Sequence, residues 1–424
     1  MILIVLIVVH ILILLNLRFT AWPEMFSFPY FFNNGFSLYK DMIHPYTPLL
    51  TIFLANLYRL IGYNVWIIKL VTYTLIIIND ILIFKITSKL TKSTKWGIFA
   101  VVAYLLTQPF LEGNQLWFDF AISSPILLGL WLVINKKYFW SGIVFAISFL
   151  IKQNSALFLI LGLLLSFKNK NYPKILLGSF LTIIPFGIYL HQKNSIVDFF
   201  NWVLIYPSKY WTNFPDYVQM MPTNRQLLIL LLLFLPTVYL VIKNKFKNNL
   251  LLFGSLIISL ILIYPRFSFF HFQTGIAILA IIFGVATSIA KRQFVYLYLF
   301  IVFLILPKDW SNLTRFIDDN NLSILKNEKV YLLGPHSLNY VVSNSLPPKP
   351  WIDNYGWYFE MPGMQQRVLE SWKNNPPNYV YRSLPQSGNW YDLGVYQPKE
   401  VVKYIEDNYQ KVDQQNDVEV WKLK

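Results

Sequence analysis

Apolar runs long enough to cross a membrane recur along most of this 424-residue chain. A hydrocarbon core of ~30 Å takes about 20 apolar residues of helix, with a working range of roughly 17–25. Backbone inside lipid must satisfy its own hydrogen bonds, which leaves the helix as the spanning element for such runs. They stand at about 1–17, 64–86, 96–111, 119–135, 138–151, 154–167, 174–190, 226–242, 249–264, 271–290 and 293–306. The fold class predicted is a polytopic α-helical membrane protein with about eleven transmembrane helices. Only 13% of the residues are charged, against about one-quarter in a soluble domain. The apolar start Met1-Ile2-Leu3-Ile4-Val5 has neither the basic segment nor the small-residue cleavage site of a signal peptide. The first run is therefore expected to remain as an anchor. The chain has no cysteine, which excludes disulfides and thiolate chemistry.

The formal charge of +15 raises the question of nucleic acid, and its location answers it. From Pro307 onward the chain holds 13 Lys/Arg and 14 Asp/Glu, leaving 23 basic and 7 acidic residues before it. Fourteen of those 23 fall in five short connections. These are Lys85/Lys89/Lys92/Lys95, Lys136/Lys137, Lys168/Lys170/Lys174, Lys243/Lys245/Lys247 and Lys291/Arg292, and no acid lies among them. Basic residues are retained on the cytoplasmic side of a membrane. The charge thus reads as a topology signal, with no nucleic-acid partner. It predicts a multi-pass plasma (inner) membrane protein with a cytoplasmic N-terminus and an extracytoplasmic C-terminal domain.

The segment Pro48 to Ile61 tests that assignment. If it crossed, the Lys85–Lys95 connection and every later basic connection would lie outside. At ~14 residues it is also short for a span and suits an interfacial helix. The expected consequence is a long external first loop, 18–63, within a transmembrane module 1–306. The tail, 307–424, reads as a small α/β domain. Lys329–Gly334, Asn378–Tyr381 and Val418–Leu423 have strand composition. Pro398–Asn408 has helical spacing with Pro at its start. The Pro-rich stretch 346–351 is expected to be irregular.

Ionisable residues in or beside spans are costly and therefore candidates for function. On this topology most lie on the outer side: Glu24, Asp41 and His44 in the first loop, then Glu112, Asp119, Lys152, Arg266 and His271. Carboxylates take a proton from an acceptor group, and cations hold an anionic leaving group. There is no G-x-G-x-x-G, P-loop or H-E-x-x-H motif. The only cofactor left open is a divalent cation, for which Asp41 and His44 are a weak ligand pair.

Trp22-Pro-Glu-Met-Phe26, Asn34-Gly-Phe-Ser-Leu-Tyr-Lys-Asp41, His44-Pro-Tyr-Thr-Pro48 and Leu60-Ile-Gly62 together resemble the first external loop of the GT-C glycosyltransferases. The nearest branch holds the protein O-mannosyltransferases and the lipid A aminoarabinose transferase. Trp117-Phe-Asp119 resembles that family's second-loop acid, and Phe149-Leu-Ile-Lys152 its lysine after a short span. Tyr264-Pro-Arg-Phe267 with His271 resembles a later loop of some bacterial members. The resemblance implies a GT-C-like transmembrane module and an external C-terminal domain.

It also implies roles. Glu24 would be the general base, where the alternative is a solvated loop acid. Asp119 would position the acceptor or hold a metal, where the alternative is a helix N-terminal acid favoured by the dipole. Lys152 and Arg266 would bind the donor phosphate, where the alternatives are snorkelling and interfacial anchoring. His271 joins them in substrate binding, as do Asp41 and His44, which serve loop folding equally well. The family pattern often has Asp-Glu where this chain has Pro23-Glu24, so Asp41 stays a second candidate for the base. The reaction implied moves a monosaccharide from a polyprenyl-phosphate donor to a lipid, glycan or protein acceptor at the outer face, with inversion. The other readings are an envelope oligosaccharide polymerase or ligase, and a lipid or polysaccharide transporter. The absence of repeats and of a large late loop counts against both.

Overall fold

The structure, a computed structural model, describes residues 1–424 except 168–169, 212–220, 244, 246–248, 265, 307–309, 311–312, 317–321, 354–355 and 385–396. Lys168 and Lys247 of the basic connections, Pro265, and the first residues of the tail thus lie outside the described residues. The fold is mostly helical with a small sheet near the C-terminus. It divides into two compact units. Unit one comprises residues 1–21, 65–186 and 220–315; unit two comprises 22–64, 187–219 and 316–424.

Unit one is a helix bundle. Among the described residues three helices are long and apolar enough to cross a membrane: Val65–Thr91, Tyr172–Gln192 and Asn224–Ile242. Most of the other expected spans form shorter apolar helices, such as Ile2–Leu15, Tyr138–Ile151 and Gln273–Thr287. A 14-residue helix such as Tyr138–Ile151 rises only about 21 Å at 1.5 Å per residue. The physical reason for one of the breaks is visible at Lys152. Its extended backbone (φ −147°, ψ 124°) ends the Tyr138–Ile151 helix, and a 3-10 turn, Gln153–Ser155, leads into Ala156–Phe167.

The Gln273–Thr287 helix is buried almost throughout and packs on Thr94–Thr107, Val65–Thr91, Asn224–Ile242 and Leu250–Leu262. Small residues permit the approach. A Cβ at Gly284 would sit 2.5 Å from Thr87 Cγ2 and 2.8 Å from Ala100 Cβ. Elsewhere Gly142 lets its helix meet the backbone of Ile175, where an added Cβ would fall 2.1 Å from the carbonyl oxygen. Outward faces are apolar as well: Leu177 and Phe180, Leu231 and Leu235, and Leu297 and Phe300 are all exposed.

A buried polar contact inside the bundle joins helix to helix. His10 Nδ1 lies 3.0 Å from Asp80 Oδ2, and both residues are fully buried. Gln108 donates through Nε2 to the Gly113 carbonyl at 2.8 Å, so its Oε1 faces His10 Nε2 at 3.1 Å. The neighbouring Asn79 bonds Tyr104 and Ser124 instead of Asp80.

Unit two carries the four-stranded sheet, in the order Val330–Leu333, Tyr379–Ser383, Val418–Leu423, Tyr409–Gln415. The first pair is parallel, with Val330 opposite Tyr379; the other two pairs are antiparallel. The parallel pair needs a crossover, which includes the helices Leu338–Ser343 and Met364–Asn374. The strands at 330–333, 379–383 and 418–423 and the helix Lys399–Asn408 stand where the sequence suggests them. Trp372 is fully buried against Tyr331, at 4.9 Å between ring centroids.

The stretch 22–64 is part of this same unit. Its helices are Glu24–Asn33 and Leu49–Ile61, the second ending at Gly62 with φ +88° and ψ 166°, a backbone conformation open to glycine because it has no Cβ. Trp351, in the Pro-rich stretch, is the joint: its N–H donates to Asp41 O at 2.9 Å and its carbonyl accepts from Ile43 N at 3.1 Å. Its ring packs 4.5 Å from Phe31. The two polar regions thus share one core.

Candidate functional site

Asp119 is the centre of a charged cluster in unit one. It lies on a four-residue helix, Phe118–Ala121, entered from an extended Trp117. Its side chain is 1% exposed. Lys152, at the break between two helices, donates from Nζ to Asp119 Oδ1 at 2.5 Å. His271, just before the Gln273–Thr287 helix, meets Asp119 Oδ2 through Nδ1 at 2.8 Å. A carboxylate that already accepts from a lysine has only lone pairs to offer. His271 Nδ1 therefore carries the hydrogen in this contact. One carboxylate bridges a cation and an imidazole, an arrangement that offsets the cost of removing it from water.

The two loops that bring these groups together are tied on either side. Glu112 accepts at Oε2 from the Phe270 N–H at 3.0 Å. Gln273, fully buried, donates from Nε2 to the carbonyls of Leu111 at 2.6 Å and Phe269 at 3.0 Å. Ser123 and Thr274 pair their hydroxyls at 3.0 Å. The Phe270 ring lies 3.9 Å from the imidazole of His271, and Trp117 lies 6.3 Å from Phe270. Arg266 is partly buried in the same loop, and its charge acts on His271. The site thus holds a carboxylate, two cations and an imidazole beside an aromatic wall. Such a set has the chemistry to bind an anion or to move a proton.

The other three sequence candidates belong to unit two. Glu24 is 5% exposed and is the first residue of its helix, where free N–H groups and the dipole favour an anion. Asp41 accepts from the Ser37 N–H at 2.9 Å and from Lys349 Nζ at 3.2 Å. Lys349 also donates to Gly35 O at 2.7 Å, so Asp41 helps to fold its loop. His44 is fully buried. Its Nδ1 donates to the Tyr46 carbonyl at 2.7 Å, and Nε2 lies 2.7 Å from the Thr51 hydroxyl. Burial lowers the His44 pKa to about 4, against the partial support of the Tyr46 carbonyl.

With both nitrogens of His44 engaged and Asp41 held by Lys349, this pair does not fit a cation. Among the described residues no group of three or more His, Asp or Glu side chains is placed to hold a metal. Asp119 is faced by a lysine, which cannot share a cation with it.

Five of the eight candidates, Glu112, Asp119, Lys152, Arg266 and His271, gather in unit one. Glu24, Asp41 and His44 stand in unit two. Sequence reasoning missed Gln273 as the tie between the loops. Its only signal is a lone amide opening an apolar run. Comparison with family models and with curated proteins finds no match for the chain.

Proposed function

We propose that the chain is a multi-spanning membrane glycosyltransferase of GT-C type, moving a monosaccharide from a polyprenyl-phosphate donor to an acceptor at the outer face. The observation that carries this reading is the buried Asp119–Lys152–His271 assembly at the ends of apolar helices. A bundle with apolar outward faces is suited to a lipid tail, and a charged cluster at helix ends is suited to the phosphate that tail carries. The loop charges support eleven spans with the basic connections inside, and so a tail outside.

In this reaction the acceptor hydroxyl loses its proton to a carboxylate base, the role that the resemblance gives to Glu24, and its oxygen attacks the anomeric carbon. The bond from that carbon to the phosphate oxygen breaks, and the lipid phosphate leaves with the electron pair. Lys152 and Arg266 stabilise its charge. Asp119 fixes Lys152 and His271 in place. The protein in lipid nanodiscs, given a panel of polyprenyl-phosphate monosaccharides, should release lipid phosphate with at least one of them. Glu24→Gln should lower turnover by ~10²–10⁴-fold, the usual contribution of a general base. Near-normal turnover by that variant removes Glu24 from the role. A wild-type protein inert to every donor in the panel counts against the transferase.

A further inference from the structure

The helical segment 196–209 in unit two has two different apolar faces. One is packed within the unit: Phe199 meets Tyr39 at 5.1 Å and Trp202 meets Tyr358 at 6.0 Å, between ring centroids. Asp198 is fastened to Arg367 at 2.9 Å. The other face is bare. Ile196, Val197, Phe200, Leu204 and Ile205 are exposed, Val197 to 72%. Their spacing keeps them on one stripe through the π turn Asn201–Ile205. A stripe this apolar on a unit that also carries a polar sheet marks an interaction surface.

Chain continuity identifies the occupant. The segment follows the membrane-length helix Tyr172–Gln192, and only Lys193, Asn194 and Ser195 separate them. Three residues span at most about 10–14 Å with their flanking bonds. Lysines stand near both ends of the stripe, at 193 and 209, and the partly exposed Tyr206 and Tyr210 close it. Lys209 Nζ lies 5.4 Å from the Tyr210 ring. Amphipathic aromatics beside lysines suit the headgroup level of a bilayer. We infer that segment 196–209 lies in the plane of the outer leaflet, with the Ile196–Ile205 stripe immersed below the headgroups. This rests on the membrane-spanning reading above and adds a second, in-plane mode of attachment through unit two.

The absence of cysteine makes the test direct. A fluorophore is attached to the full chain in lipid vesicles through Val197→Cys, Phe200→Cys or Leu204→Cys, one at a time. Two reference variants are Phe180→Cys, on an exposed site of the membrane-length helix, and Lys411→Cys, on an exposed strand. The vesicles carry nitroxide lipids labelled either near the headgroup or near the chain end. The expected result is loss of fluorescence at 197, 200 and 204 with the shallow nitroxide. Phe180→Cys should be quenched by the deep one and Lys411→Cys by neither. If Phe180→Cys is quenched while the stripe responds only to a water-soluble quencher, the in-plane helix is overturned and the spanning reading stands. If Phe180→Cys is not quenched, the spanning reading fails and takes the inference with it. A stripe shielded from both lipid and water quenchers is covered by protein, which also overturns it.

Discussion

Asp119 has two basic partners, so removing it and removing one of them are unequal perturbations. Asp119→Asn keeps the shape of the side chain and deletes the charge. Lys152 is then left with a 9% exposed side chain and no carboxylate, and stranding a buried charge costs about 3–5 kcal/mol. Lys152→Met deletes the opposite charge, yet Asp119 keeps its contact with His271 at 2.8 Å. The remaining loss is that of a charged hydrogen bond, about 1.5–3 kcal/mol. The double variant removes both charges and strands neither. Its destabilisation should therefore fall well short of the sum of the single variants, by roughly 1–3 kcal/mol of coupling. Thermal unfolding followed by intrinsic tryptophan fluorescence in one detergent measures all four proteins, since the chain has 14 Trp. Asp119→Asn should have the lowest midpoint, Lys152→Met a higher one, and the double variant should not lie below Asp119→Asn. Equal losses from the two single variants, or strict additivity, would refute the reasoning.

Three further outcomes follow from the same geometry. His44 is neutral in the fold with a pKa of about 4 against an ordinary 6.5; its contribution, about 3 kcal/mol at most, is complete above pH ~6.5 and is lost as pH falls toward 4. His44→Asn should flatten that part of the stability–pH curve, and an unchanged curve would contradict the assignment. Gly284→Ala places a Cβ 2.5 Å from Thr87 Cγ2; overpacking of this kind costs about 1–3 kcal/mol, and an unshifted unfolding midpoint would mean that the helices separate freely. Gln273→Leu removes the contact to Leu111 across the loops and the one to Phe269 in its own loop and should raise hydrogen exchange at residues 111–119 and 266–271, whereas unchanged exchange there would show that Glu112 suffices.

What the sequence discloses depends on how local the physical cause is. The strands 330–333, 379–383 and 418–423 are short runs of β-branched and aromatic residues beside turn residues, and they are legible as such. The strand Tyr409–Gln415 is not, because only Tyr409 is buried and the rest, apart from an exposed Val412, is polar. Such composition is common on a sheet edge and is shared by loops. The helix at 49–61 is legible from its apolar run and Gly62, but its membership of unit two depends on Trp351, about three hundred residues later. In the charged cluster, each member can be singled out as an ionisable group beside an apolar run. That Asp119 bridges the other two is a tertiary fact, since its partners lie 33 and 152 residues away. His10 is hidden for the same reason, being one polar residue in an apolar helix whose partner, Asp80, is 70 residues distant.

The central claim is that the cations beside Asp119 receive the phosphate of a lipid carrier. The direct measurement is binding of a polyprenyl phosphate, without sugar, to the protein in nanodiscs, for the wild type, Lys152→Met and Arg266→Gln. Loss of a charged hydrogen bond predicts about 10–100-fold weaker binding for each variant. Equal affinity across the three proteins would contradict the claim and return both residues to a structural part in the bundle.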